Sequence, residues 1–131
     1  MNNNYSAQLN IAVNAALLAG KIIMRFYSRL DTLKVMSKGF NDYVSEADQE
    51  AEKIITETLN KAYPKYKITA EESGSTEINS EYEWFIDPLD GTTNFIHGIP
   101  HVALVIGKIL NEQITDGIIY NPILNDFYWS S

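Results

Sequence analysis

Residues 84–95 read WFIDPLDGTTNF, and the residue types change abruptly along them. The apolar run Trp84-Phe85-Ile86 stops at a carboxylate, Asp87. A proline and a leucine follow, then a second carboxylate, Asp90, a glycine and two threonines. In a continuing strand, residues three apart point to opposite faces. A turn opening at Pro88, whose φ is fixed, would let Asp87 and Asp90 converge. Gly91 then permits close backbone approach, and Thr92 opens a short helix whose free amides point outward. The stretch reads as strand, turn, acid pair and helix start, all at one end of a sheet.

The flanking sequence extends that sheet. Upstream, Lys67-Ile68-Thr69-Ala70 reads as a short strand running into Glu71-Glu72-Ser73-Gly74, residues 73–82 as a small polar loop, and residues 83–87 as the next strand. If the two strands pair, Glu71 reaches the same edge as Asp87. Downstream, HVALVIGKIL (101–110), ITDGIIY (114–120) and DFYWS (126–130) are separated by short turns and predict an antiparallel meander. Tyr120, Phe127, Tyr128 and Trp129 are expected to pack within it.

Two helices precede the sheet. Over residues 5–28, Leu9, Val13, Ala16, Gly20, Ile23 and Tyr27 recur at three and four, and Ile11, Leu18 and Ile22 widen the apolar surface. KGFND (38–42) breaks the pattern. Ser45 then caps a second helix with Asp48 at the capping-box position. Ala47, Ala51, Ile54, Ile55, Thr58 and Leu59 supply its buried stripe to about residue 62, before Pro64. The predicted class is α+β: two N-terminal helices packed on a mainly antiparallel sheet of about five strands, one domain over residues 1–131.

Composition narrows the functions. Of 131 residues, 45% are hydrophobic and 21% charged, which suits a globular domain. The net charge of −7 and ten scattered Lys and Arg argue against generic nucleic-acid binding, which needs a basic footprint. Without cysteine, disulfide and thiolate chemistry are excluded. The N-terminus MNNNYSAQLN lacks the positive charge of a secretion signal, and Lys21 interrupts the longest apolar segment. A cytoplasmic protein without a membrane role is expected.

The acids carry the chemistry. Two close carboxylates repel unless a cation or a shared proton lies between them. Asp87, Asp90, the Leu89 carbonyl and water make an all-oxygen shell of the kind Mg²⁺ prefers, and Glu71 and Glu72 enlarge it toward a multi-metal site. The Gly91 and Thr92 amides form an anion site. Metal beside phosphate indicates phosphoryl-ester hydrolysis. The Thr92 hydroxyl would take the water's proton if a nearby acid such as Asp48 received its own. Glu57, Glu77, Glu81, Glu83 and Glu112 read as solvent-face charges. Gly98 and Pro100 lie between His97 and His101 and prevent a shared helical face for zinc.

These residues resemble the inositol monophosphatase family of Mg²⁺-dependent, lithium-sensitive phosphomonoesterases. The family's apolar strand followed by Asp-Pro-Ile/Leu-Asp-Gly-Thr-x-Asn-Phe stands here at residues 86–95, its Glu-Glu-Ser at 71–73, and its Asp-x-Val-Thr-x-x-Asp at 42–48 with Ser45 for threonine. The resemblance implies that Glu71, Asp87 and the Leu89 carbonyl hold a first Mg²⁺ and that Asp87 and Asp90 hold a second. Two or three ions would complete the family site, with Li⁺ as inhibitor. Thr92 with Asp48 would orient and deprotonate the water, Gly91 and Thr92 would take the phosphate, and Glu72 would stand behind the ligands. The implied fold is the N-terminal lobe of the sugar-phosphatase αβαβα sandwich. The implied partner is a small phosphorylated metabolite, inositol monophosphate by default, and a homodimer is possible. Members are about twice as long, and residues 96–131 contain nothing like the Trp-Asp-x-Ala-Ala-Gly motif of their second half. A C-terminal lobe is therefore expected to be absent. The alternative function is that of a truncated, non-catalytic relative acting as a binding partner or inert fragment.

Overall fold

The computed structural model describes residues 5–40 and 42–131. The asparagine run at 2–4 and Asn41 of the KGFND break lie outside the described residues. Helix α1 (Ala7–Tyr27) starts at Ser6, whose hydroxyl accepts the Leu9 amide at 3.1 Å. It buries Leu9, Ala12, Val13, Ala15, Ala16, Ala19, Gly20, Ile23 and Phe26. Leu18, expected to widen the apolar face, is 41% exposed, because the alanines at 12, 15, 16 and 19 turn the buried stripe away from it. By length and composition α1 could cross a membrane, yet in this fold its buried stripe packs against α2 and the sheet.

The segment around KGFND is not a simple break. It is an antiparallel hairpin of β1 (Val35–Gly39) and β2 (Asp42–Ser45), apart from the main sheet. Ser45 then caps α2 (Glu46–Ala62), and the capping box with Asp48 is complete. Ala47, Ala51, Ile55 and Leu59 are fully buried. The small alanines of both helices permit the close α1–α2 packing.

Among the described residues the main sheet has six strands: β3 (Lys67–Ala70), β4 (Gly74–Ser75), β5 (Tyr82–Asp90), β6 (Ala103–Leu110), β7 (Gln113–Asn121) and β8 (Asp126–Ser130). Their order is β4-β3-β5-β6-β7-β8, with β3 and β5 parallel and every other pair antiparallel. The expected five strands become six because the polar loop after Glu72 contributes β4. Between β5 and β6 lies helix α3 (Thr92–Ile96).

The end of β5 that bears the site is not the expected turn. The chain does not leave the strand at Pro88. Asp87 pairs with Val105 and Asp90 with Ala103, so β5 spends one residue more than β6 between these pairs. That is a β-bulge, a place where proline's missing N–H is tolerated. The extra residue re-aims the strand and brings both aspartates to one side, as a turn would have done.

Helices α1 and α2 cover one face of the sheet over Ile68, Trp84, Ile86, Leu104, Ile106, Ile118 and Tyr120. The opposite face is an open apolar groove of about 550 Å³ between Phe85, Val105, Ile109, Ile114, Ile119 and Tyr128. Of the late aromatics, Tyr120 and Phe127 pack together at 5.3 Å, and Trp129 and Tyr5 meet nearly at right angles at 4.9 Å. Tyr128, expected to be packed, is 64% exposed on that groove.

Candidate active site

The register of the parallel pair builds the first wall. Ala70 lies beside Ile86, and the Glu71 amide donates to the Ile86 carbonyl at 3.0 Å, so Glu71 leaves the sheet next to Asp87. The bulge supplies the second wall, Asp87 to Asp90. Gly91 follows with φ +90°, and a Cβ there would stand 2.8 Å from the His101 carbonyl oxygen, so this position needs glycine. Its left-handed conformation starts α3 at Thr92.

The third wall comes from α2. Asp48 is 1% exposed. Its Oδ1 accepts the Thr92 hydroxyl at 2.7 Å, while its Oδ2 accepts the Ser45 amide at 2.9 Å and the Ser45 hydroxyl at 2.6 Å. The Leu89 carbonyl also lies 3.1 Å from Thr92 Oγ1. A hydroxyl has one proton to give, and the shorter contact with a charged acceptor assigns it to Asp48.

These walls enclose a pocket of about 250 Å³ lined by Glu71, Glu72, Asp87, Leu89, Asp90, Gly91 and Thr92, with Lys38, Asp42, Tyr43, Thr93 and Asn94 at its margin. Every residue singled out from the sequence except Asp48 lines it, and Asp48 reaches it through Thr92. Burial, then the charge of Asp90, then that of Glu71 push the Asp87 carboxyl up to about 6, against a weaker opposing hydrogen bond from the Leu89 amide. Burial also raises Glu72, outweighing its ion pair with Lys38 at 2.7 Å.

The donor set fits a hard cation such as Mg²⁺. It consists of carboxylate and carbonyl oxygens, and their crowded negative charge lacks compensation at Asp87. The fit is in chemistry and location. Among the described residues, no three acidic or histidine side chains stand close enough to chelate one ion as they are. The carboxylates would have to draw together around it.

Two participants were not found in the sequence. Lys38 enters from β1, the exposed strand of the β1–β2 hairpin. Glu52, 4% exposed, accepts the Glu72 and Ser73 amides at 2.8 and 2.9 Å. Its position one turn after Asp48 and one residue after the buried Ala51 was the available signal. Glu83 is not a free surface charge, since it accepts the Thr69 hydroxyl at 2.5 Å across β3 and β5. Glu57, Glu77, Glu81 and Glu112 are exposed. His97 turns its Nδ1 to the Thr93 carbonyl at 2.7 Å.

Known proteins share this arrangement of elements. A suhB extragenic suppressor protein from Bartonella henselae superposes with a TM-score of 0.94 at 44% identity, over 96% of this chain and 49% of that one. An IMPase from Thermotoga maritima superposes with a TM-score of 0.86 at 29% identity, over 96% and 48%. Among curated relatives, an inositol-1-monophosphatase of Mesorhizobium japonicum is 47% identical over 94% of this chain and 47% of its own length. A putative Nus factor SuhB of Neisseria meningitidis serogroup B is 47% identical over 94% and 48%. The chain thus spans about half the length of the relatives it matches. The sequence pattern described as the inositol monophosphatase family matches residues 4–131. With the fold and almost the whole sequence in agreement, the chain belongs to the inositol monophosphatase family.

Proposed function

We propose that residues 1–131 form the metal- and phosphate-binding lobe of a Mg²⁺-dependent phosphomonoesterase, with inositol monophosphate or a related sugar or alcohol phosphate as substrate. The observation that carries this reading is the Thr92–Asp48 hydrogen bond of 2.7 Å beside a pocket walled by Glu71, Asp87 and Asp90. A threonine hydroxyl is too weak a base alone, and a buried carboxylate behind it removes that obstacle.

Glu71, Asp87 and the Leu89 carbonyl would hold one Mg²⁺, and Asp87 with Asp90 a second. When bound, the metal compensates charge on the phosphoryl oxygens and acidifies water. The chain's own residues do the rest. The Gly91 and Thr92 amides hold the phosphate from the start of α3. Thr92 Oγ1 takes the proton of the attacking water and releases its own to Asp48 Oδ1. The Ser45 amide and hydroxyl keep the Asp48 carboxylate oriented for that transfer. Glu72 stands behind the ligands, paired with Lys38. A cytoplasmic location, a small phosphorylated metabolite as partner, Li⁺ inhibition and a possible homodimer belong to the same reading.

A second reading has equal support from the relatives' names. The protein called a putative Nus factor is as similar to this chain as the one called a phosphatase. Under that reading the chain acts by binding a partner and turns nothing over.

Phosphate release from inositol 1-phosphate by the purified chain, with and without Mg²⁺ and beside Asp87→Asn, separates the two. Mg²⁺-dependent release that disappears in the variant is expected. A folded chain that releases none, at any Mg²⁺ concentration, overturns catalysis by this lobe and leaves the binding role.

A further inference from the structure

The tip of the β3–β4 hairpin carries Glu71 and Glu72, and past Glu71 the sheet does not hold it. Ala70 pairs with Gly74 and Thr69 with Ser75, so residues 71–73 form the loop. The Glu71 amide still reaches Ile86. The next two amides, of Glu72 and Ser73, have left the ladder and point at helix α2, where one Glu52 oxygen accepts each. Hydrogen bonds to an ionised acceptor are about twice as strong as neutral ones.

Glu52 lies four residues after Asp48, which puts their Cβ atoms roughly 6 Å apart on one helical face. Both are almost fully buried, at 4% and 1% exposure. Between and beyond them, Ala51, Ile55 and Leu59 seat α2 in the core. An apolar residue at 52 would extend that seat, whereas a buried carboxylate is costly unless its oxygens are satisfied. Here they are satisfied by the backbone of the acidic loop. One rigid helix therefore holds two separate parts of the pocket: Asp48 grips Thr92, and Glu52 grips the loop bearing Glu71.

We infer that Glu52 is a positioning residue that sets the Glu71–Ser73 wall at its distance from the Thr92–Asp48 pair. This rests on reading the pocket as a metal and phosphate site. Glu52 touches neither ligand. It acts by fixing the Glu72 and Ser73 amides that directly follow Glu71, while Lys38 holds the neighbouring Glu72 side chain.

The test uses the whole chain with Glu52→Gln, which keeps length and volume but turns an NH₂ toward one amide. Ile55→Val serves as a control that loosens the core of the same helix without touching the loop. Two quantities are read: Mn²⁺ affinity by calorimetry, and hydrogen exchange of the Glu72 and Ser73 amides. For Glu52→Gln the Mn²⁺ Kd rises about tenfold, the lower end of what removing a supporting partner costs a metal site. The two amides exchange faster, beyond any global change, and Ile55→Val does neither. An unchanged Mn²⁺ Kd in folded Glu52→Gln, with or without faster exchange, reduces Glu52 to a structural clip and overturns the inference. If the unaltered chain takes up no Mn²⁺, the metal reading itself falls. The NMR resonances of Thr92 then decide: displaced in Glu52→Gln they uphold the coupling of the two walls, and unmoved they overturn it. Should Glu52→Gln not fold, Glu52→Asp, which keeps both oxygens and loses one methylene of reach, is judged by the same criteria.

Discussion

Thr92 and Asp48 are 44 residues apart in sequence and 2.7 Å apart in the fold. Thr92→Val keeps the shape and removes the donor, leaving one oxygen of a buried carboxylate unpaired. The expected cost is about 1–3 kcal/mol, read by urea unfolding, with a fall in phosphate release of about 10²–10⁴-fold on the proposed mechanism. Asp87 behaves in the opposite way. Burial and two like charges oppose its ionisation, so Asp87→Asn should raise the melting temperature of the metal-free chain while abolishing any rise on adding Mg²⁺. A variant that melts lower than its parent without metal would contradict the crowding described here. Asp87, Asp90, Gly91 and Thr92 could be read from the sequence because they are neighbours in one short run whose residue types change together. Lys38 could not, and Glu52 offered only its place one turn after Asp48. Each acts on a segment distant in the chain, and Lys38 comes from a hairpin whose first strand is exposed throughout, with no alternation to betray it.

Helix α2 begins with the capping box that Ser45 and Asp48 predict. Ser45→Ala therefore removes the cap and the hydroxyl's hydrogen bond to Asp48 Oδ2 together, leaving the Ser45 amide's bond in place, and should cost about 1–2 kcal/mol, measured in urea, with lost activity besides. In β6 and β7, Lys108 and Asp116 form an ion pair at 2.7 Å with side chains 11% and 8% exposed. Asp116→Ala leaves the ammonium without that partner and should cost about 3–5 kcal/mol, far more than a surface pair would. A loss below about 1 kcal/mol would show the lysine escaping to water. The helices and the meander were legible because burial imposes periods of 3.6 and 2 on them. The bulge at Pro88–Leu89 was not. It depends on how Asp87 and Asp90 align with Val105 and Ala103, and a proline by itself reads as a turn.

Among the described residues, the sheet is covered on one side only. Phe85, Ile114, Ile119 and Tyr128 stand exposed on the other, a patch of a kind monomeric proteins seldom leave bare. Replacing Ile119 and Tyr128 by threonine should sharply lower the fluorescence of a bound hydrophobic dye, while each substitution changes stability by less than about 0.5 kcal/mol. Unchanged dye binding would mean that the groove is not the accessible apolar surface. The pattern of apolar residues shows that both faces of the meander carry them, but not which face the helices choose. On the face they cover, α1 comes so near at Gly20 that even a Cβ would meet the Tyr120 ring at 2.6 Å.

The packing of α1 against β6 and β7 also has a consequence in time. Synthesis runs from α1 toward Asn121 at about 5–20 residues per second, so the helix emerges roughly 5 to 20 seconds before the last of the strands that cover it. Once α2 has followed, the alanine-rich stripe can meet it, but the strands that cover α1 come last. Nascent chains arrested before β6 should therefore engage chaperones that hold apolar helices, and chains arrested after β7 has emerged should let them go.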